Sequence, residues 1–208
     1  MSILDKIKKR ISDSSKTLTD EFYLGQDKKS RVRFISDFEL AEEFVWHDKY
    51  KESINMPCLK AYNKECPACP DGDDKKEIRT RTIYVWTVYN HDLDKKQLFK
   101  FPATNFTPVP ALVAMYEAYG TLCDRDFVIS RTGTGFDIAY NVVPMDKSKP
   151  KFKNNVAFTK KDILKKWAKI YNLKEIAKNG LPSAKGSKKA ESDEDLKDEF
   201  GLDSDDIE

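Results

Sequence analysis

Alternation of polar and apolar residues, together with β-branched and aromatic content, predicts β-strands in several stretches of the chain. The residues between positions 90 and 97 are polar and predict a turn, so the segments on either side of them form a hairpin. A second hairpin is predicted around Gly133 and Gly135. The predicted strand segments are 30–36, 39–47, 79–90, 97–101 and the two arms of 126–143.

Apolar residues recur at intervals of three and four in three other segments, a spacing that predicts amphipathic helices. In one of them Pro110 suits the first helical turn and Gly120 suits the C-terminal end. In another, Thr159 and Asp162 form a capping pattern ahead of the apolar face. The predicted helical segments are 1–20, 107–120 and 159–177.

These elements, short strands with one helix between two hairpins, predict a mainly β fold of the α+β class. We expect an OB-fold-like Greek-key barrel with one inserted loop, additional helices and a disordered acidic C-terminal tail. The expected organisation is a basic N-terminal arm at 1–20, a core at 21–179 whose inserted loop spans about 47–78, and a flexible linker with the acidic tail at 180–208.

Charge is divided unevenly along the chain. Residues 191–208 contain ten acidic residues and one lysine, whereas residues 1–190 contain 36 basic and 25 acidic residues. A basic body with an acidic tail is typical of a polyanion-binding protein that has a separate interaction tail, although a merely solvated end has the same composition. Neither an apolar run of 18 residues nor a signal-peptide core is evident, so we expect a cytoplasmic protein without a membrane partner.

Three of the four cysteines and one of the two histidines lie in the segment 47–73. His47, Cys58, Cys66 and Cys69 offer one nitrogen and three sulfurs, a ligand set that suits tetrahedral Zn²⁺. Cys66 and Cys69 form a CxxC pair, a spacing that lets two thiolates share one ion across a tight turn. Four protein ligands leave no open coordination position, so we predict one structural Zn²⁺. It would stabilise a loop that has few apolar residues.

Other roles for these residues stay open at the level of sequence. A lone CxxC pair can be a redox dithiol, but that chemistry needs a helix after the pair, and the segment 71–74 does not favour one. Cys123 or His91 could replace one of the four ligands. Cys123 is instead predicted to be a small buried residue, and His91 a surface group in a turn.

Lysines, arginines and aromatic residues are interleaved in the cysteine loop and in the strand that follows it. Single-stranded nucleic acid requires this combination, because phosphates need a cationic groove and unstacked bases need flat apolar platforms. Proteins that recognise double-stranded DNA instead place a helix or a β-ribbon in the major groove, and no recognition helix stands out in this sequence. For any one ring, burial in the core is the alternative role. The predicted DNA contacts are Arg33, Lys49, Tyr62, Lys64, Arg79, Arg81, Tyr84, Trp86, Phe99, Lys100 and Arg131.

A histidine, a cysteine and a CxxC pair, inserted early in a basic OB-like domain that ends in an acidic tail, resemble the zinc-containing single-stranded-DNA-binding proteins of T-even-like tailed phages. The resemblance also covers the hairpin at 81–101, the helix after it and the hairpin at 126–143. It implies self-association along DNA through the arm, and recruitment of replication, recombination and repair proteins by the tail. The segment 8–12 resembles the basic motif of that arm, although Ile11 interrupts it and the intervals between the metal ligands are shorter than in the T-even pattern.

We therefore expect a non-enzymatic protein that coats and protects single-stranded DNA, without sequence preference, in the cytoplasm of a bacterial host. A single-stranded RNA-binding translational regulator is the alternative, because stacking platforms accept both sugars. A metal-dependent nuclease would need an open metal site or convergent carboxylates, and the acidic residues cluster in the tail instead. A zinc-stapled adaptor that binds only proteins would not need the basic body.

Overall fold

The computed structural model describes residues 20–49, 54–69, 78–150, 152 and 156–181. Its helices are α1 Val109–Tyr119, α2 Lys160–Ile170 and α3 Leu173–Asn179. Within the described ranges, no helix is both long enough and apolar enough to cross a membrane. The strands are β1 Lys28–Phe34, β2 Glu42–Lys49, β3 Ile54–Pro57, β4 Arg79–Asn90, β5 Lys95–Phe101, β6 Arg125–Thr132 and β7 Ala139–Lys147.

The described strands form one antiparallel sheet in the order β3-β2-β4-β1-β6-β7, and β5 pairs with β4. The chain divides into two compact units. The first unit comprises the described residues of 20–43 and 84–157. The second comprises those of 44–83 and 158–181.

The core of the first unit is built from the inward faces of its strands. Val32 lies opposite Phe127 in the β1–β6 register, and Trp86 lies opposite Phe99 in the β4–β5 register. The ring of Phe34 meets Phe99 at 5.3 Å and Phe127 at 5.7 Å, in edge-to-face arrangements that aromatic pairs favour. The remaining buried members of this core are Phe22, Leu24, Val88, Val109, Leu112, Leu122, Ile129 and Val142.

The opposite side of β1, β4, β5 and β6 in the first unit is termed here the outer face. Successive residues of a strand point to opposite sides, so Arg31 and Arg33 lie on this face while Val32 lies in the core. The registers place Tyr89 and Asp126 opposite Arg33, and therefore on the same face. The same face also has Lys29 on β1 and Lys96 and Lys100 on β5. Its buried residues include Val85, Thr87 and Leu98.

In the second unit, helices α2 and α3 pack against the cysteine loop and the neighbouring strands. The buried ring of Trp167 meets Phe44 at 4.6 Å and Trp46 at 5.1 Å between centroids. The start of α2 is fixed by a capping box, in which the backbone N–H of Asp162 donates to Thr159 Oγ1 and that of Thr159 donates to the Asp162 carboxylate. The helices therefore supply the apolar surface that the loop lacks in sequence.

The mainly β class and the predicted strand positions are confirmed, with shifts of a few residues at the ends. The helix predicted over 159–177 is divided, because Asn172 takes a left-handed conformation between α2 and α3. Strand β3 was missed, since its four residues are too few to show alternation. The predicted helix at 1–20, apart from Asp20, and the tail from 182 onward lie outside the described residues.

Strand β4 is more deeply buried than an alternating pattern predicts. One face of an antiparallel strand is usually solvated, so one parity of 79–90 was expected to be core. Residues 85–88 are instead all buried, on both faces. The run YVWTV is correspondingly near-continuous in its apolar and aromatic content.

Candidate functional site

The structure brings together the four residues that the sequence predicted as metal ligands. His47, Cys58, Cys66 and Cys69 are all buried, and their ligand atoms lie within 4.8 Å of one another. All four belong to the second unit. This Cys/His cluster could hold a metal ion.

Local backbone structure positions each ligand. His47 lies inside β2, opposite Met56 of β3. Cys58 follows β3 directly, and its backbone N–H donates to Val45 O at 2.9 Å, which continues the strand pairing. Cys66 and Cys69 flank a tight turn closed by a hydrogen bond from the N–H of Cys69 to the carbonyl of Cys66 at 3.1 Å. Two strands and one turn therefore present the donor atoms to a common point.

The separations between the donor atoms suit one small ion. Cys58 Sγ lies 3.6 Å from Cys69 Sγ, and Cys69 Sγ lies 3.7 Å from His47 Nε2. A disulfide requires about 2.05 Å between sulfurs, so these are separate thiols. A tetrahedron with metal–sulfur bonds of about 2.3 Å has edges of about 3.8 Å. Two of the six separations are therefore close to the edges of such a tetrahedron, and all six are within 4.8 Å.

The orientation of the His47 ring is set by Thr80 on β4. His47 Nδ1 lies 3.2 Å from Thr80 Oγ1, while Nε2 faces the sulfurs. With Nε2 as the ligand atom, Nδ1–H donates to the threonine hydroxyl. Metal-binding histidines almost always donate their second ring N–H in this way, which fixes both tautomer and ring angle.

The thiols of the cluster have perturbed acidities. Burial raises the pKa of Cys58 to about 12. Burial also raises the pKa of Cys66, but hydrogen bonds to His47 and to two backbone groups outweigh it and bring that pKa down to about 6. Thiolates are costly to bury without a cation, so the cluster favours a bound positive ion.

Neither alternative ligand joins the cluster. Cys123 belongs to the first unit, where its thiol donates to Ile35 O at 3.7 Å and burial raises its pKa to about 11. His91 is only partly exposed, and its Nε2 lies 3.3 Å from Asp126 Oδ2. The predicted set of one histidine and three cysteines is therefore the one that converges.

Four of the predicted DNA contacts are buried residues, and as surface contacts they were wrong. Arg33 is only 2% exposed, pairs with Asp126, and donates from Nη1 to Cys123 O and Ser148 O at 3.0 and 2.9 Å. The other three are Tyr62, Trp86 and Phe99. The Tyr62 hydroxyl donates to Leu164 O, the Trp86 indole N–H donates to Phe38 O, and the Phe99 ring is fully buried.

Two predicted cations lie in the second unit and share one carboxylate. Arg79 has a side chain 72% exposed and binds Asp48 with two hydrogen bonds of 2.8 and 3.1 Å. Arg81 Nε lies 3.0 Å from Asp48 Oδ2, which Arg79 Nη2 also contacts. Their positive charge is thus only partly neutralised, and both stay predictions as phosphate contacts.

The other predicted contacts are half-buried rather than fully exposed, and they stay predictions. Lys100 binds both carboxylate oxygens of Glu21 at 2.9 Å. Arg131 donates from Nη1 to Leu24 O at 2.8 Å. The half-buried set is Lys49, Lys64, Tyr84, Lys100 and Arg131.

Sequence reasoning left several outer-face residues out of the predicted contacts. Tyr89 stacks on Phe152, His91 meets both rings, and Arg31 is 43% exposed beside Asp126. One signal was available for Phe152, because it stands between lysines in the sequence KPKFK at 149–153. That interleaving of cations with a ring is the pattern that the cysteine loop shows.

Comparison of the chain with protein-family models, with curated proteins and with solved structures gave no significant match. The resemblance to the phage single-stranded-DNA-binding proteins accordingly depends on motif and charge pattern alone.

Proposed function

We propose that this protein binds and coats single-stranded DNA through the outer face of its first unit, and that a structural Zn²⁺ holds its second unit together. The observation that carries the proposal is the composition of the outer face. Lys96 of β5 lies opposite Tyr89 in the β4–β5 register, and the exposed Arg31 of β1 lies on the same face. Phosphates and unstacked bases require this combination of groups.

Strand order supports an OB-type barrel. In chain order the strands of the first unit are β1, the second half of β4, β5, β6 and β7, and their spatial order is β5-β4-β1-β6-β7. If these strands are numbered one to five along the chain, their spatial order is 3-2-1-4-5. Read from the other edge of the sheet, this order contains the 4-1-2-3 arrangement of a Greek key. Helix α1 lies between the third and fourth strands. In OB-folds the second and third strands bind oligonucleotides, and here those strands are β4 and β5.

The Cys/His cluster supports a structural zinc. Zn²⁺ accepts three thiolates and one imidazole in a tetrahedron, and this set leaves no coordination position for substrate. His47, Cys58, Cys66 and Cys69 would hold the ion and cross-link β2, β3 and the CxxC turn. The proposed role of the metal in DNA binding is therefore indirect, through the stability of the second unit.

Charge along the chain supports roles for both ends. The acidic tail at 191–208 is proposed to recruit replication, recombination and repair proteins, and the basic arm at 1–20 to mediate self-association along DNA. Both roles come from the resemblance and from composition.

The decisive experiment compares the affinity of the full chain for labelled oligo-dT, oligo-rU and a duplex of equal length by fluorescence anisotropy. We expect oligo-dT to bind most tightly, with a salt slope of about −0.7 per neutralised phosphate. Preference for oligo-rU would favour the RNA-binding alternative. Equal affinity for duplex and single strand would contradict the proposal.

A matched pair of charge reversals tests the outer face. Lys29 is an exposed residue of β1 on that face, and Lys161 is an exposed lysine of α2 in the second unit. Lys29→Glu should weaken oligo-dT binding and reduce the magnitude of the salt slope by about 0.7 or more. Lys161→Glu makes the same change of charge and should leave the slope unchanged.

A further inference from the structure

Two aromatic rings lie flat against each other on the outer face. The rings of Tyr89 and Phe152 have centroids 4.0 Å apart and planes inclined by 8°. Aromatic side-chain pairs in proteins favour offset-stacked or edge-to-face contacts, and this pair is of the stacked kind. Other aromatic pairs of the same unit are inclined by between 28° and 86°. Stacking is also how a nucleobase binds a protein ring.

The Tyr89 ring is held in place from several directions. Its hydroxyl donates to Asp94, in the turn between β4 and β5. His91 meets it edge-on, with centroids 5.2 Å apart. Such a ring is preorganised, so replacing one flat partner on it by another costs little conformational entropy.

Cations surround the stacked pair. Lys96 lies opposite Tyr89 in the β4–β5 register, and its Nζ reaches Val156 O at 3.0 Å. Arg31 lies on the same face and is 43% exposed, although it also pairs with Asp126. A strand whose base stacked on Tyr89 would have both cations within reach of its phosphates.

We infer that Tyr89 is a nucleobase-stacking platform, and that Phe152 occupies it as an internal competitor which a base of single-stranded DNA displaces. The inference rests on the proposed function and names a binding residue within it. Phe152 matches the ligand in its flat apolar ring, and the sequence around it contains Lys149, Lys151 and Lys153. Displacement exchanges one stacked ring for another, so the net gain per base is smaller than at an open platform.

The test measures affinity for labelled oligo-dT with four variants of the full chain. Tyr89→Ala should weaken binding by about tenfold, because a base–ring stack is lost. Phe152→Ala should tighten binding by about two- to tenfold, because the competing ring pair is lost. The double variant should bind like Tyr89→Ala, since there is then no platform to uncover. Tyr89→Phe keeps the ring and should bind within about twofold of the wild type.

Controls separate the inference from misfolding and from the wider proposal. Phe106→Ala removes an exposed ring elsewhere in the first unit and should leave affinity unchanged, and thermal melts check that each variant is folded. If the wild type prefers single strands but Phe152→Ala binds no more tightly, the competitor role is overturned while the proposed function stands. Weaker binding by Phe152→Ala would mean that the base is sandwiched between the rings, which also overturns it. If the wild type shows no preference for single strands, both proposals fail.

Discussion

At the scale of single residues, local geometry gives chemically identical side chains different roles. Arg31 and Arg33 lie two positions apart on the same face of β1, and both pair with Asp126. Arg33 is buried and also donates to Cys123 and Ser148, whereas Arg31 is 43% exposed. A buried guanidinium with several acceptors is part of the fold, while an exposed one keeps charge that a phosphate can approach.

Asp126→Asn should destabilise the protein and change its response to acid. Burial opposes ionisation of Asp126, but Arg33 and Arg31 outweigh it and lower its pKa. A carboxyl whose pKa is lower in the folded state stabilises the fold above its unfolded pKa of about 4, and this contribution is lost as pH falls through the folded value. The variant leaves Arg33 buried without a counter-ion, at a cost of about 3–5 kcal/mol at pH 7.

Urea unfolding at pH 7 and below pH 4 measures both effects of Asp126→Asn. The variant should lose less stability between the two pH values than the wild type does. Asp137→Asn alters an exposed carboxylate and serves as the control. Equal pH dependence in Asp126→Asn and the wild type would show that the buried pair contributes nothing to acid sensitivity.

Cys66→Ser should abolish metal binding, because one of four converging donors is lost. Loss of a structural metal is among the changes that cost more than about 4 kcal/mol of stability. Metal content per chain by native mass spectrometry, with the unfolding midpoint, measures the result. Cys123→Ser makes the same substitution outside the cluster and should retain the metal. Full metal content in Cys66→Ser would remove this residue from the ligand set.

At the scale of elements, the cysteine loop and the C-terminal helices form one packed structure. The sequence suggested that metal alone would stabilise the loop. The structure adds a hydrophobic cluster in which Leu59 and Tyr62 pack with Ala168 and Leu173 of α2 and α3. A loop with few apolar residues can therefore contribute to a core when distant helices provide the opposing surface.

Metal removal should loosen the packing of the helices in the second unit. Trp46 and Trp167 are buried together there, and both should become more exposed when a chelator removes the ion. A Trp86→Phe background leaves these two as the emitting residues, and their fluorescence should shift to the red and recover when zinc is added. Unchanged emission in protein shown by mass spectrometry to be metal-free would contradict this coupling.

At the scale of the whole molecule, opposite charges occupy different parts of one chain. The acidic residues of 191–208 follow a body with an excess of basic residues. An acidic segment tethered to a cationic surface competes with phosphate at a high effective concentration. Screening by salt weakens that competition.

Deletion of residues 191–208 should tighten oligo-dT binding, most strongly at low salt. The reason is loss of an intramolecular polyanion, so the difference from wild type should shrink as salt rises. A chain with the tail acids changed to the corresponding amides keeps the length and should behave like the deletion. Unchanged affinity at low salt in both variants would show that the tail does not compete with DNA.

Much of the candidate site could be predicted from the sequence, because its signals are local. Metal ligands are recognisable by residue type and spacing, and all four predicted ligands converge. Strands and helices follow from short-range periodicity, which placed β4 at its observed bounds. Local pattern is a poorer guide to which rings are exposed. Residues such as Trp86 and Phe99 look the same in sequence whether a ring stacks on a base or lies in a core.

By itself, the sequence determined the class of fold, the four residues of the Cys/His cluster and the separation of basic and acidic charge. Each of these depends on neighbouring residues or on composition. Only the tertiary structure decided that Arg33 is an internal counter-ion, that α2 and α3 complete the second unit, and that Phe152 lies on Tyr89. These contacts join residues tens of positions apart, so they depend on strand order and register rather than on local pattern.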